Sequence, residues 1–413
     1  MKIVFFTYYF PPDLSAGSFR ASALVEALLD RMGEDDSIKV VTTSPNRYAR
    51  MEITESQSFA DPRLNVKRVH IPQHESGVVD QANGFRSFAR GALAASANST
   101  PDLVLATSSR LLTATLGAFA ARRWRVPLYL DIRDIFSETI ENVFAAHPIR
   151  FAVPFVNALE RWTVRSASRI NVVSPAFLEH FEPIAVNTPT SVYTNGVDQQ
   201  FLDFRRQHPV PLQRPGRPVV VAAGNIGEGQ GLHHIVPGLA AAHPDVDFRI
   251  IGGGGRRAEL ESAVLAARND NVTIINPVSR DRLTEEYANA SVLFMHLNDL
   301  PAFDRVVPSK MFEYAATGRP ILAGVRGRSD AMLSQVAGVE RFPPCDVAAA
   351  ASALSRLLDG PRQHDRDEFV AQFDRRKIMA AMAEEIIATA SGGDAVSAAA
   401  TQEGLQNDPH VQQ

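Results

Sequence analysis

Short apolar runs alternate with helical stretches along this chain, and the alternation restarts near its middle. The first series of runs covers residues 2–7, 38–42, 66–71, 102–107, 128–132, 169–174 and 191–195. Runs this short and this evenly apolar suit parallel strands buried on both faces. Between them, residues 19–31 carry Ala21, Leu24, Val25, Leu28 and Leu29 at helical spacing. Residues 111–122 and 152–166 also read as helices. Strands alternating with helices predict a doubly wound α/β domain. The second series begins at residues 219–223 and continues through 248–252, 272–275, 292–295 and 321–324. Residues 201–218, rich in Pro, Arg and Gln, read as the crossing between two domains. The expected division is 1–200 and 201–366, with a helix at about 367–389 packing back on the first domain. Residues 391–413 have almost no large apolar side chains and read as a disordered tail.

Bulk properties exclude several classes. With 45% hydrophobic and 21% charged residues, the 413-residue chain has an ordinary globular composition. A net charge of −4 gives no electrostatic footprint for nucleic acid. The single cysteine, Cys345, excludes an intramolecular disulfide and a cysteine-based metal site. It fits a reducing compartment. No His/Asp cluster stands at metal spacing, so a metal-independent protein is expected. The opening MKIVFFTYYFPP is too short to span a bilayer and lacks a signal-peptide cleavage site. Nothing downstream reaches about 18 uninterrupted apolar residues. The reading is cytoplasmic. In the segment 147–169, Phe151, Phe155, Leu159 and Trp162 are punctuated by Arg150, Arg161, Arg165 and Arg169. Such a helix can lie on an anionic membrane face; a core helix with solvated arginines carries the same pattern.

Glycine-bearing loops follow three of the strands, where parallel sheets place their ligands. In YYFPPDLSAGSFR (8–20), Gly17 allows close backbone approach and the following helix offers N–H groups to an anion. The loop is not G-x-G-x-x-G, which disfavours NAD. In VVVAAGNIGEGQGL (219–232), Gly224, Gly227, Gly229 and Gly231 punctuate the turn, and no Walker lysine follows. RIIGGGGRRAEL (249–260) repeats the arrangement around Gly253. In LYLDIRDIFSET (128–139), Asp131 and Asp134 stand at a strand end, where a carboxylate can orient a sugar hydroxyl or act as a base. An Asp–Arg pair holding a loop is the competing reading. Finally, PSKMFEYAATGRPIL (308–322) sets Lys310 and Glu313 on one helical face before Gly318 stops the helix. They form either a rim ion pair or a two-pronged ligand contact at the helix N-terminus.

PSKMFEYAATGRPILAG resembles the donor-binding signature of the retaining GT-B glycosyltransferases related to glycogen synthase and the bacterial mannosyltransferases. Its Pro-Ser-Lys before Phe-Glu-Tyr looks most like O-antigen and capsule enzymes, including the N-acetyl-L-fucosamine transferases. FPPDLSAGSFR, RINVVSPAF, YTNGVDQQFL and GNIGEGQGL match further family segments in order. The resemblance implies two Rossmann-like domains facing across a cleft. It implies that Glu313 binds ribose hydroxyls and that Gly17 faces the donor diphosphate. It places Asn276, Pro277 and Val278 at the base, and Ser309 and Lys310 under the phosphates. The chain departs from the family at the usual Arg/Lys clamp, where it has Asn225 and Gln230. It also has Arg305 where the first acidic residue stands, after Asp304. Positive charge would then come from Lys310, Arg305 and Arg20, with Asp304 at the donor sugar. Asp131 and Asp134 would take the place of the family's histidine on the acceptor side.

The implied reaction displaces a nucleoside diphosphate, UDP by family preference, from a UDP-sugar with retention. The implied acceptor is a lipid-linked saccharide at the inner membrane face. A sugar-nucleotide epimerase or hydrolase of the same architecture, and a catalytically silent partner subunit that binds nucleotide or a second transferase, are the competing readings.

Overall fold

The computed structural model describes residues 1–13, 15–44, 61–71, 78–108, 110–135, 137–138, 141, 151–210 and 216–393. The chain forms two compact units. One takes in the described residues of Met1–Phe136, Pro154–Thr194 and Arg376–Gln413. The other takes in those of Ser137–Val153 and Asn195–Arg375.

The first unit is a seven-stranded sheet of β1 (Lys2–Phe6), β2 (Ser37–Thr43), β3 (Leu64–Val69), β4 (Leu103–Thr107), β5 (Leu128–Ile132), β6 (Arg169–Val172) and β7 (Thr190–Val192). The spatial order is 3-2-1-4-5-6-7, and every pairing is parallel. Its helices are α1 (Ala16–Leu29), α2 (Val78–Ser96), α3 (Leu111–Trp124), α4 (Val153–Arg165, whose first residue falls to the second unit) and α5 (Leu178–Ala185). The apolar run of β1 is explained by its two covered faces. Val4 and Phe6 enter one core with Ala114 and Ala118 of α3. Ile3 and Phe5 enter another with Leu24 and Val25 of α1 and with Met379, Met382 and Ile386 near the chain's end. Alternate strand residues point to opposite faces, so only a continuous apolar run fills both.

The second unit is a six-stranded parallel sheet of β8 (Val219–Asn225), β9 (Asp247–Gly253), β10 (Val272–Ile275), β11 (Val292–His296), β12 (Ile321–Gly324) and β13 (Val339–Phe342). The order is 10-9-8-11-12-13. Its helices are α6 (Leu232–Ala242), α7 (Arg257–Ala266), α8 (Arg280–Asn289), α9 (Ser309–Thr317), α10 (Gly327–Leu333) and α11 (Val347–Asp359). α12 (Arg375–Ala390) leaves this unit and packs on the first. The winding direction reverses between β1 and β4 in one sheet and between β8 and β11 in the other. Open α/β sheets bind ligands outside the carboxyl ends of the strands at such reversals.

Several elements differ from expectation. The chain crosses between units at Thr194–Asn195, and Phe201 and Phe204 are fully buried in helical turns of the second unit. Two buried phenylalanines make the start of that stretch, through Gln207, a docked segment of the second unit. α2, α11 and the edge strand β13 have no counterpart in the sequence reading. β13 is half polar (Val-Glu-Arg-Phe), and α11 buries Ala350, Ala353, Leu354 and Leu357 on one face, a helical pattern the sequence reading passed over. The last helix starts at Arg375, after a separate turn at Asp367–Ala371. The basic helix runs Val153–Arg165; residues 147–150 lie outside the described residues, as does the expected tail beyond residue 393.

Candidate nucleotide-sugar site

The turn after β8 is the centre of the candidate site. Gly224 has φ +129, and a Cβ there would lie 1.9 Å from Nζ of Lys310. The lysine therefore lies across bare backbone where β8 ends. It is the second residue of α9, whose N-cap is Pro308 and whose first turn holds no acid. The unsatisfied N–H groups of such a terminus favour an anion. The Tyr314 hydroxyl anchors α9 to the sheet by accepting from Ala223 N–H (3.2 Å). Arg366 donates to the Tyr314 and Ala315 carbonyls (3.4 and 3.5 Å) near the helix end. Gly252 is bare for a related reason: a Cβ there would lie 1.8 Å from the Gly224 carbonyl oxygen.

The rest of the loop is braced from beneath. Asn225 Nδ2 donates to Gln230 Oε1 (2.9 Å), which also accepts from Gly227 N–H (3.3 Å). Where the resembled family carries two cations, this chain closes the loop with two neutral amides. Buried His296, at the end of β11, donates from Nδ1 to the Gln230 carbonyl (2.7 Å). Its Nε2 accepts from Cys345 N–H (2.9 Å). Burial pushes the imidazole down to about 4, so it stays neutral and holds this one tautomer. Asn298 donates to the Glu228 carbonyl (3.0 Å).

Glu313 lies one turn after Lys310 on α9 and is 9% exposed. Its Oε1 is 3.5 Å from Nη2 of Arg280, the first residue of α8. Asn276, Pro277 and Val278 form the turn between β10 and α8, directly before Arg280. Ser309 is the first residue of α9, and Gly253 ends β9. Thus Gly253, Asn225, Gln230 and Lys310 all belong to the β8–β9 carboxyl edge or the helix above it, and Glu313 follows on α9.

Comparison with known proteins fits this geometry. A family model described as "Glycosyl transferase 4-like domain" matches residues 19–196. A second, described as "Glycosyl transferases group 1", matches residues 217–360. The chain belongs to the group 1 glycosyltransferases. Over 225 residues it is 28% identical to a 2-deoxystreptamine glucosyltransferase of Streptomyces kanamyceticus. That match covers 51% of this chain and 57% of the relative's length. The sucrose-phosphate synthase of Thermosynechococcus elongatus superposes with a TM-score of 0.67 at 15% identity, over 95% of this chain and 97% of the other. Anabaena HepE, solved with UDP-glucose, superposes at 0.60 and 15% identity, over 95% and 98%. The fold is therefore GT-B.

Two site expectations for this group 1 glycosyltransferase, Arg20 and Asp131, are corrected by the structure. Arg20 and Asp131 are each 1% exposed and are joined by Nε–Oδ2 and Nη2–Oδ1 bonds of 2.9 Å. Arg20 also donates to the Thr194 and Tyr193 carbonyls (2.5 and 3.0 Å), and Asn171 donates to Asp131 (2.6 Å). Burial raises the Asp131 carboxyl; Arg20 more than reverses this and holds it below the usual carboxylate range. Both side chains are engaged inside the unit, so neither is presented to a diphosphate or an acceptor. Gly17 sits in the first turn of α1, where Ser15 caps Ser18 N–H (3.2 Å). Asp134 is exposed beyond β5. Asp304 is chelated by Arg326, with Nη2–Oδ2 at 3.0 Å, and Arg305 is paired with Glu138. Arg256 and Arg257 are ion-paired as well, with Glu259 and Glu261 (both 2.7 Å). Arg280, His296 and Asn298 escaped the sequence reading. His296 and Asn298 straddle the carboxyl end of a strand at the winding reversal, a position that marks them once the strand order is known.

Proposed function

We propose that the protein transfers a sugar from a UDP-sugar to a lipid-linked saccharide acceptor, with retention, in surface-polysaccharide assembly. One observation carries the reading: Lys310 lies across the Gly224 turn at the N-terminus of α9, with Glu313 one turn further on. A cation, a helix N-terminus with no side-chain cap and a glycine-bared loop suit a diphosphate, and a carboxylate one turn away suits ribose hydroxyls. UDP is favoured because HepE, similar in fold, was solved with UDP-glucose. The acceptor class rests on the Pro-Ser-Lys/Phe-Glu-Tyr signature.

In this reading Asn276, Pro277 and Val278 flank the base through backbone groups. Ser309 and Lys310 hold the phosphates, and Lys310 with the α9 terminus stabilises charge on the departing UDP. Rate comes from that charge and from holding acceptor and donor in register. Among the described residues no group of His, Cys, Asp and Glu is arranged to hold a metal, and we propose a metal-independent transfer. Among them also no helix is long and apolar enough to cross a membrane. α4, with Phe155 69% exposed beside exposed Arg161 and Arg165, is the proposed contact with the inner membrane face.

A thermal-shift panel with UDP, GDP, ADP, TDP and CMP tests the donor. A ligand at 100 times its Kd adds about 2.7 kcal/mol, a readable shift. UDP should shift the transition most. UDP release from a UDP-sugar should then require a lipid-linked acceptor. Release without acceptor would indicate a hydrolase instead. No shift with any nucleotide would favour a silent partner subunit, the reading that the neutral Asn225–Gln230 pair supports. Glu313→Ala should raise the donor KM about tenfold or more, as expected for loss of a hydrogen bond to a charged group. Unchanged donor kinetics would remove Glu313 from the ribose.

A further inference from the structure

The carboxylate of Glu313 ends a chain of charges that begins where the polypeptide crosses between units. Arg375 is the last residue of the second unit, and its side chain is 3% exposed. It donates from Nε to the Asn195 carbonyl (2.7 Å) and from Nη2 to the Gly196 carbonyl (3.0 Å). Its Nη1 is bonded to Asp198. A backbone bridge between Val197 and Asp374 ties the same two segments. Two of the places where the chain passes between units, 194–195 and 375–376, thus adjoin one fastening point within the second unit.

Asp198 turns its other oxygen to Nη2 of Arg280. The Arg280 guanidinium sits 4.9 Å over the fully buried ring of Phe201, which fixes its plane. From there Nη2 stands 3.5 Å from Glu313 Oε1. That separation is a charge contact, longer than a good hydrogen bond, and it leaves the carboxylate lone pairs available to a ligand. Glu313 also acts electrostatically on Tyr287 and Tyr314, whose rings pack edge to face at 5.3 Å. Arg280 is the cation that orients the carboxylate, and it follows directly on the turn 276–279.

We propose that Arg280 is a positioning residue for Glu313. Held by Asp198 and Phe201, it aims the carboxylate so that both oxygens meet a cis-diol, and so sets how well the site distinguishes ribose from deoxyribose. The inference rests on the ribose role proposed for Glu313. A rim ion pair, by contrast, would change stability without changing which sugar is read.

UDP and 2′-deoxy-UDP titrated into wild-type protein and the variants R280Q, R280K, D198N and E313Q test it, with Tm recorded for each. The ratio of the two dissociation constants is internally controlled, because partial unfolding lowers both affinities equally. Wild type should favour UDP about tenfold or more, the scale of a hydrogen bond to a charged group. E313Q and R280Q should bring the ratio to within about twofold. R280K should recover part of it, and D198N should fall between R280Q and wild type. If E313Q abolishes the preference while R280Q keeps it whole, the proposal for Arg280 fails and the ribose role of Glu313 stands. If wild type binds neither nucleotide, or E313Q keeps the preference, the ribose reading fails and takes this proposal with it.

Discussion

Lys310→Ala should weaken UDP binding by about 10- to 100-fold, the range for a charge-assisted hydrogen bond. It should lower kcat for transfer by about 100- to 1000-fold, the range for loss of one group aimed at developing charge. The expectation is this large because Lys310 adds its charge to the N-terminus of α9 at the bare Gly224 turn. Arg256 is paired with Glu228 and Glu259, Arg257 with Glu261, Arg326 with Asp299 and Asp304, and Arg305 with Glu138. The two positions that carry cations in the resembled family are amides bonded to each other. Lys310→Arg keeps the charge but must fit a wider, planar group over Gly224, so it should recover binding more fully than rate. Gly224→Ala is the companion variant: its methyl would occupy the place of the lysine head group and should lower UDP affinity with Lys310 intact. UDP affinity of Lys310→Ala within threefold of wild type would place the compensating charge elsewhere.

The alternation of strands and helices was readable because each buried strand shows its two covered faces as an unbroken apolar run. β5, β10 and β12 match their expected bounds residue for residue. What the sequence hid were elements with one polar or small-residue face. β13 mixes charge into an edge strand, and α11 opens with a run of alanines before its buried Leu354 and Leu357. Site residues divided in the same manner. Lys310 and Glu313 are local in sequence, and helical spacing alone puts them on one face; the Gly224 turn that Lys310 crosses lies on a distant strand, and only the fold brings it there. Arg20, Asp131 and Asn171 are separated by 111 and 40 residues and meet only because β5 and β6 are neighbours facing α1. A carboxylate at the end of a strand reads the same whether it faces a ligand or a buried guanidinium. The partner 111 residues away decides between them, and a linear reading does not show it.

That buried pair sets the second large expectation. Asp131→Asn should destabilise the first unit by about 3–5 kcal/mol, because it strands the Arg20 guanidinium in a site that water does not reach. Arg20→Met should cost a similar amount, since it leaves a buried carboxylate with Asn171 as its remaining donor. Replacing both with apolar residues should cost less than the two single changes added together, as shown by a double-mutant cycle in urea. Acid adds a second readout. The Asp131 carboxyl is depressed in the folded state, so its contribution is complete above the unfolded value of about 3.9 and is lost as pH falls through the folded value. Wild type should therefore lose stability on acidification more steeply than Asp131→Asn. A catalytic Asp131 makes the opposite pattern: Asn at 131 would fold with an unchanged Tm and lose transfer. Because Arg20 also grips the Tyr193 and Thr194 carbonyls, just before the chain crosses at Asn195, the pair secures the end of the first unit's last strand. The loss should therefore appear first as weakened protection of the amides of residues 190–194 from hydrogen exchange.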